Sequence, residues 1–215
     1  YNAALGAINK DFKALQYFSS PNQLLATEKS SMAPYGEEGL SRQAYRPGFD
    51  VECCSGNVHR MFPNYISRMW MNGDEHEIVA ALYGPSEYRT EINGTKVCIT
   101  EDTSYPFSGK ITFRFALDGA PVRIPFTMRI PSWVENAKLT VNAEQPKEYH
   151  AGGFSTIERR FKDGDVVELD IDMKPRAEKR TDAGINVYMG PLLYSVDIDE
   201  NVEIIKDQFK TCLLY

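Results

Sequence analysis

The chain has no apolar run approaching the roughly 18 residues that a bilayer-crossing helix needs, so a membrane is not an expected partner. Positive charge is not in surplus either. The 24 Lys and Arg are outnumbered by 30 Asp and Glu, and the net charge is −6. The basic residues are scattered and form no stripe, which argues against nucleic acid. Cysteine is scarce. The four thiols, at positions 53, 54, 98 and 212, show no disulfide-framework spacing, and the chain is too long to need one. Internal repeats and low-complexity tracts are also missing. There is no initiator Met: the chain opens at Tyr1, inside a helix-like stretch, so we expect a piece of a longer protein with any targeting segment upstream. What remains is a balanced composition, 42% apolar and 25% charged, over 215 residues. That length can bury one sizeable core, or one core plus a helical appendage.

Against this background the pair Cys53-Cys54 stands out, within Glu52-Cys-Cys-Ser-Gly-Asn-Val-His-Arg. Neighbouring thiols do not readily form a disulfide with each other. Reduced, they set two soft ligands, or a nucleophile and a ligand, side by side. The amphipathic stretch from Val58 to Met71 follows, so the pair would lie where a loop becomes a helix, and free N–H groups there favour a thiolate. A buried, inert pair is the other reading, since free Cys behaves as a small hydrophobe.

Periodicity divides the chain near Asn72-Gly-Asp-Glu, a turn signal. Before it, Ala4, Leu5, Ile8, Phe12 and Leu15 fall close to helical spacing, and Cys54 to Met71 reads as a second helix, bent or started late by Pro63. Residues 21–49 read as a long loop. After it, alternation takes over. Ile111, Phe113, Phe115 and Leu117 share one strand face; Val122, Ile124, Phe126, Met128 and Ile130 share another. Leu139 with Val141, and Val167 with Leu169 and Ile171, continue the pattern, and Lys162-Asp-Gly-Asp predicts a hairpin turn. Short strands with frequent turns and no intervening helix predict an antiparallel β-sandwich from about residue 77. The fold expected is mainly β, with residues 1–71 helical and 72–215 forming the sandwich.

Several pieces, taken in order, resemble the C-terminal half of glycoside hydrolase families 127 and 146, which include β-L-arabinofuranosidases. They are Tyr1-Asn-Ala-Ala-Leu, Gln16-Tyr-Phe-Ser-Ser-Pro, the Cys-Cys-x-x-Asn run, Leu82-Tyr-Gly-Pro-Ser-Glu, Arg129-Ile-Pro-Ser-Trp, Lys162-Asp-Gly-Asp-Val-Val-Glu-Leu and Gly190-Pro-Leu-Leu-Tyr-Ser. The likeness covers nearly the whole chain. It implies the last helices of an (α/α)6 barrel followed by a β-sandwich, in a bacterial protein of periplasm or cytoplasm that degrades plant polysaccharide. It further implies a retaining glycosidase in which Cys53 is the nucleophile. Cys54 would be a zinc ligand with Cys53 also touching the metal, and Tyr17 would line the sugar pocket. The acid/base Glu and the other zinc ligands of the family lie upstream. Glu52 does not match that acid. Two thiolates are too few for a four-ligand zinc site, so this chain is expected to carry half a site, to hold zinc weakly or not at all alone, and to be inactive alone. Many members have Pro-Pro where this chain has Ser55-Gly56, a mark of a divergent branch.

Other candidates are read as structural. His59 is six residues past Cys53, roughly 240° around a helix, and faces away. His76 and His150 fall in polar turns. Trp133 is expected in the sandwich core and Cys98 as a small apolar residue, and Asn93-Gly-Thr, formally a glycosylation sequon, reads as a turn. The partner expected is a carbohydrate substrate, with a homodimer also admissible. Two rival readings remain at this point: a non-catalytic carbohydrate-binding or structural sandwich, and a structural zinc site. The Lys, Arg and Thr on the polar strand faces speak against the first, which would favour a row of exposed aromatics.

Overall fold

The computed structural model describes residues 1–15, 56–150, 152–179 and 184–196. Among these described residues two short helices come first, α1 (Asn2–Gly6) and α2 (Met61–Ile66), the second entered through a 3-10 turn at Val58–Arg60. Thirteen strands follow: β1 (Trp70–Asn72), β2 (Ile78–Ala80), β3 (Ser86–Ile92), β4 (Thr95–Thr103), β5 (Lys110–Asp118), β6 (Val122–Ile130), β7 (Asn136–Val141), β8 (Lys147–His150), β9 (Gly153–Phe161), β10 (Val166–Ile171), β11 (Pro175–Lys179), β12 (Ile185–Met189) and β13 (Leu192–Tyr194). They form a four-stranded sheet in the order β1-β2-β6-β9, a six-stranded sheet β3-β4-β5-β10-β7-β8 and a three-stranded sheet β11-β12-β13.

The alternation seen in the sequence is what joins the first two sheets. Ile111, Phe113, Phe115 and Leu117 of β5 are buried, as are Val122, Ile124, Phe126, Met128 and Ile130 of β6 and Val167, Leu169 and Ile171 of β10. They belong to one core. Phe115 stacks on Phe161 with centroids 4.1 Å apart, and Phe126 meets Phe113 edge-on at 5.0 Å. Aromatic pairs in these geometries add to the burial of their area. The mainly β, sandwich-like architecture is therefore present, with its core between the two larger sheets.

Four details depart from the expected pattern. The first helix stops at Gly6. The Asn9 side chain accepts from the amides of Lys13 and Ala14, both at 2.9 Å, and Phe12 takes a φ of 60°. An Asn that bonds its own backbone competes with the helix ladder, and here it wins. The second helix also ends early. Pro63 is tolerated in its first turn, where a missing N–H costs little, but Trp70–Asn72 already pairs with β2. A strand thus begins two residues before the expected boundary at 72. Asp163-Gly164 does form a turn, with the Asp165 amide donating to Lys162 O and Gly164 at φ 81°. It joins no paired hairpin, because β9 belongs to the four-stranded sheet and β10 to the six-stranded one. Finally, β2 pairs with β6 in parallel, although antiparallel pairing was expected throughout. The Asn93-Gly94 turn between β3 and β4 is as expected, both residues having positive φ (51° and 80°). The loop expected at 21–49 lies outside the described residues.

Candidate functional site

The residues singled out for chemistry, Cys53, Cys54 and Tyr17, lie outside the described residues, as do Glu52 and Cys212. Among the described residues, no three His, Cys, Asp or Glu side chains gather to hold a metal ion. The thiols of Cys53 and Cys54 are soft donors suited to zinc, but they supply two of the usual four. His59 and His76 are exposed, and His150 ends β8 opposite Asn136. Trp133 packs partly buried against the core, with the Arg176 guanidinium 5.8 Å from its ring centre and 4.5 Å from that of Tyr188.

Cys98 is not the core residue its flanks suggested. In β4 the inward positions are Thr95, Val97, Ile99 and Glu101, so Cys98 points to the outer face, opposite Arg89 and Ala116. It lies in an open depression of about 650 Å³ with Arg89, Lys96, Asp118 and Asp163. Partial burial, then the neighbouring Glu87 carboxylate, push its thiol above the ordinary range. A thiol so placed is a weaker nucleophile.

The same alternation puts Glu101 in the interior, with 1% of its surface exposed. Its Oε1 accepts from the Gly84 amide at 3.0 Å and its Oε2 from the Ser86 hydroxyl at 3.0 Å; Ser86 Oγ in turn accepts from Trp70 Nε1 at 3.0 Å. Burial outweighs both hydrogen bonds and pushes the Glu101 carboxyl up to about 7. The adjoining peptide oxygen, Tyr83 O, accepts from two tyrosines of the helical part: Tyr1 at 2.9 Å and Tyr65 at 2.8 Å. The hydroxyls of Tyr1 and Tyr65 also touch each other. Three oxygens thus share two protons. Burial, followed for Tyr83 by the nearby Glu101, holds the hydroxyls of Tyr1, Tyr65 and Tyr83 above their ordinary range, so all three stay protonated and available as donors. Tyr105 packs edge-on against Tyr1 and Tyr83, and its hydroxyl is pushed up to about 12 by burial. From the other side, Arg129 Nε donates to Ala81 O at 2.7 Å, and the Tyr83 hydroxyl donates to Arg129 O.

This cluster is a seam between the helical residues and the sandwich. Its contacts tie the two parts together, and it reads as an anchor. Sequence reasoning passed over it, although one signal was legible: Glu101 is the charged residue in an otherwise inward-facing row of β4. Outside the seam, Phe12, Phe62, Phe107, Phe154 and Tyr194 are exposed aromatic rings on separate segments of the described residues.

Residues 77–173 match the family described as "Beta-L-arabinofuranosidase, GH127 middle domain". Among solved structures the chain is similar to a protein described as a glycoside hydrolase, with 25% identity and a TM-score of 0.71, over 90% of this chain and 32% of that one. It is similar in fold to a GH127 β-L-arabinofuranosidase from Geobacillus stearothermophilus T6, with 21% identity and a TM-score of 0.74, over 90% and 31% of the two chains. A GH127 β-arabinofuranosidase aligns over 71% of this chain and 27% of its own, with 24% identity and a TM-score of 0.59. The chain therefore spans about a third of the length of these solved relatives. No curated protein matches it.

Proposed function

We propose, from the match of residues 77–173 to the GH127 middle domain, that the chain is part of a retaining glycosidase acting on β-L-arabinofuranosides or related plant cell-wall sugars. The observation that carries this reading is the family match itself, on a sandwich preceded in sequence by the Cys53-Cys54 run. Residues 1–71 are read as the end of the helical catalytic domain and 72–215 as the sandwich. The Cys53 thiolate attacks the anomeric carbon, the sugar–oxygen bond breaks as an acid outside this chain protonates the leaving oxygen, and water then releases the sugar from sulfur. Cys54, together with Cys53, would hold zinc, which when bound favours the thiolate form. Tyr17 would line the sugar pocket.

The test uses the full-length protein and a β-L-arabinofuranoside. Cys53→Ser should abolish turnover with the fold intact, since a hydroxyl lacks the acidity of the thiol, and a haloacetamido sugar should label Cys53 in preference to Cys54, Cys98 or Cys212. Near-normal turnover by Cys53→Ser would end the cysteine-nucleophile reading.

A further inference from the structure

A sandwich has two sides where the edge strands of its sheets face each other, and this one closes them differently. On one side β1 and β3 meet. Trp70 stacks on Tyr88 with centroids 5.3 Å apart, Trp70 Nε1 donates to Ser86 Oγ, and the Tyr88 hydroxyl donates to the Asn72 side chain. On the other side the edge strands are β8 and β9. The chain passes from His150 to Gly153 between them, so the two sheets are joined at that corner and part from it as a wedge. A groove of about 440 Å³ runs along this side.

Strand register decides what lines it. On β7, Ala137 and Leu139 are buried, and their partners across the ladder, Tyr149 and Lys147 of β8, share that inward face. On β9, Ser155 and Phe161 are buried, which puts Ile157 and Arg159, at every second residue between them, on the inward face as well. Leu139, Val141 and Ile157 therefore form an apolar floor, with Tyr149, Lys147 and Arg159 on the walls. The Tyr149 ring is half-buried against the core, while Lys147 is exposed. Next to Ile157 on the same inward row, Ser155 is 5% exposed, and its Oγ has no hydrogen-bond partner among the described residues. Buried hydroxyls are seldom left so.

The charges at the mouth come in both signs. Arg159 lies 3.7 Å from Glu144, and Glu158 is paired with Arg123 at 2.6 Å. Such a mouth has no field of one sign to draw in a polyelectrolyte, but it sets donors and acceptors side by side. A sugar matches both features. Its hydroxyls donate and accept, and the C–H face of its ring is apolar enough to lie on Tyr149 and the aliphatic floor.

We infer that the β8/β9 groove binds a neutral oligosaccharide, with Tyr149 under one sugar ring and Lys147 and Arg159 donating to its hydroxyls. The choice of an arabinose polymer as probe rests on the glycosidase reading of the preceding subsection; the groove itself does not.

The test is affinity electrophoresis of the full-length protein through gels containing soluble arabinan, beside gels with polygalacturonate and gels with no polymer. Wild type should be retarded by arabinan only. Tyr149→Ala removes the ring and should weaken the retardation by about fivefold or more, with circular dichroism unchanged, whereas Tyr149→Phe should keep it. Lys147→Ala, at an exposed position, should weaken it too and serves if loss of the ring unfolds the edge. Equal retardation of wild type, Tyr149→Ala and Lys147→Ala would overturn the inference. So would a wild type that arabinan does not retard, or that only polygalacturonate does. Cleavage of a β-L-arabinofuranoside is read separately. A wild type that binds arabinan through Tyr149 but cleaves no arabinoside would sink the glycosidase reading and leave the groove standing. Cleavage with no Tyr149-dependent binding would do the reverse.

Discussion

The sandwich and the helical residues are held by different forces. The sandwich closes on aromatic and aliphatic side chains contributed by both larger sheets, and those rings exclude water from each other. The described helical residues bury little: Ala4, Leu15 and Met69, while Leu5, Phe12, Phe62 and Ile66 stay exposed. Their attachment includes directed hydrogen bonds, with Tyr1 and Tyr65 donating to Tyr83 O and Asn2 donating to Pro191 O and accepting from the Leu193 amide, beside the packing of the Tyr1 ring on the core. Area burial is strong and insensitive to direction; hydrogen bonds add little net stability but fix geometry. Among the described residues, the sandwich therefore supplies most of the buried apolar area, and the helical ones are tied to it by directed bonds.

The largest test of this contrast is in the core. Phe126 touches Phe113, Phe115 and Phe161 and is fully buried, so Phe126→Ala should cost about 3–5 kcal/mol and lower the melting of sandwich and helices together. Separate melting of the two regions in calorimetry would break the comparison. Next comes the seam. The Glu101 carboxyl titrates at about 7 when folded, against 4.5 ordinarily. A raised carboxylate binds its proton more tightly in the folded state, so its stabilisation is complete below about pH 4.5 and is lost as pH rises through about 7. Glu101→Gln should remove that fall, on the order of 3 kcal/mol, and flatten denaturant midpoints between about pH 4.5 and 7. An unchanged slope would mean that the charge is not buried as described. The smallest effect is expected at the Arg123–Glu158 ion pair on the β6–β9 face, where both side chains are about 60% exposed. Arg123→Ala should leave the melting temperature unchanged within error at physiological salt.

Much of the sandwich was legible because a strand with one buried face writes its burial into every second residue. Phe113, Phe126 and Leu169 could be assigned inward without any structure. Helix ends were not legible: the side-chain bonds of Asn9, not propensity, stop α1, and Trp70 leaves the helical pattern for the edge strand of the four-stranded sheet. Cys98 was misplaced because an apolar neighbourhood in sequence does not say which face a strand residue takes. The neighbouring alternation of Val97 and Ile99 does. Lys162-Asp-Gly-Asp revealed its turn but not its topology, since local chemistry cannot tell a hairpin from a crossing between sheets. The seam depends on contacts such as Tyr1 to Tyr83, 82 residues apart, which no local pattern encodes.

The parallel pairing of β2 with β6 bears on the order in which the molecule assembles. β3, β4 and β5 can zip one after another through short turns, because each partner lies next along the chain. Ile78 must wait for Phe126, 48 residues later, before its strand has a central neighbour. That closure is entropically costly until the intervening meander has shortened the loop. The six-stranded sheet should therefore begin first, β6 should recruit β2 against it, and the tyrosine seam, which needs Tyr83 fixed just after β2, should be among the last contacts made. A pulse-labelling experiment would then find the amides of β4 and β5 protected before those of β2.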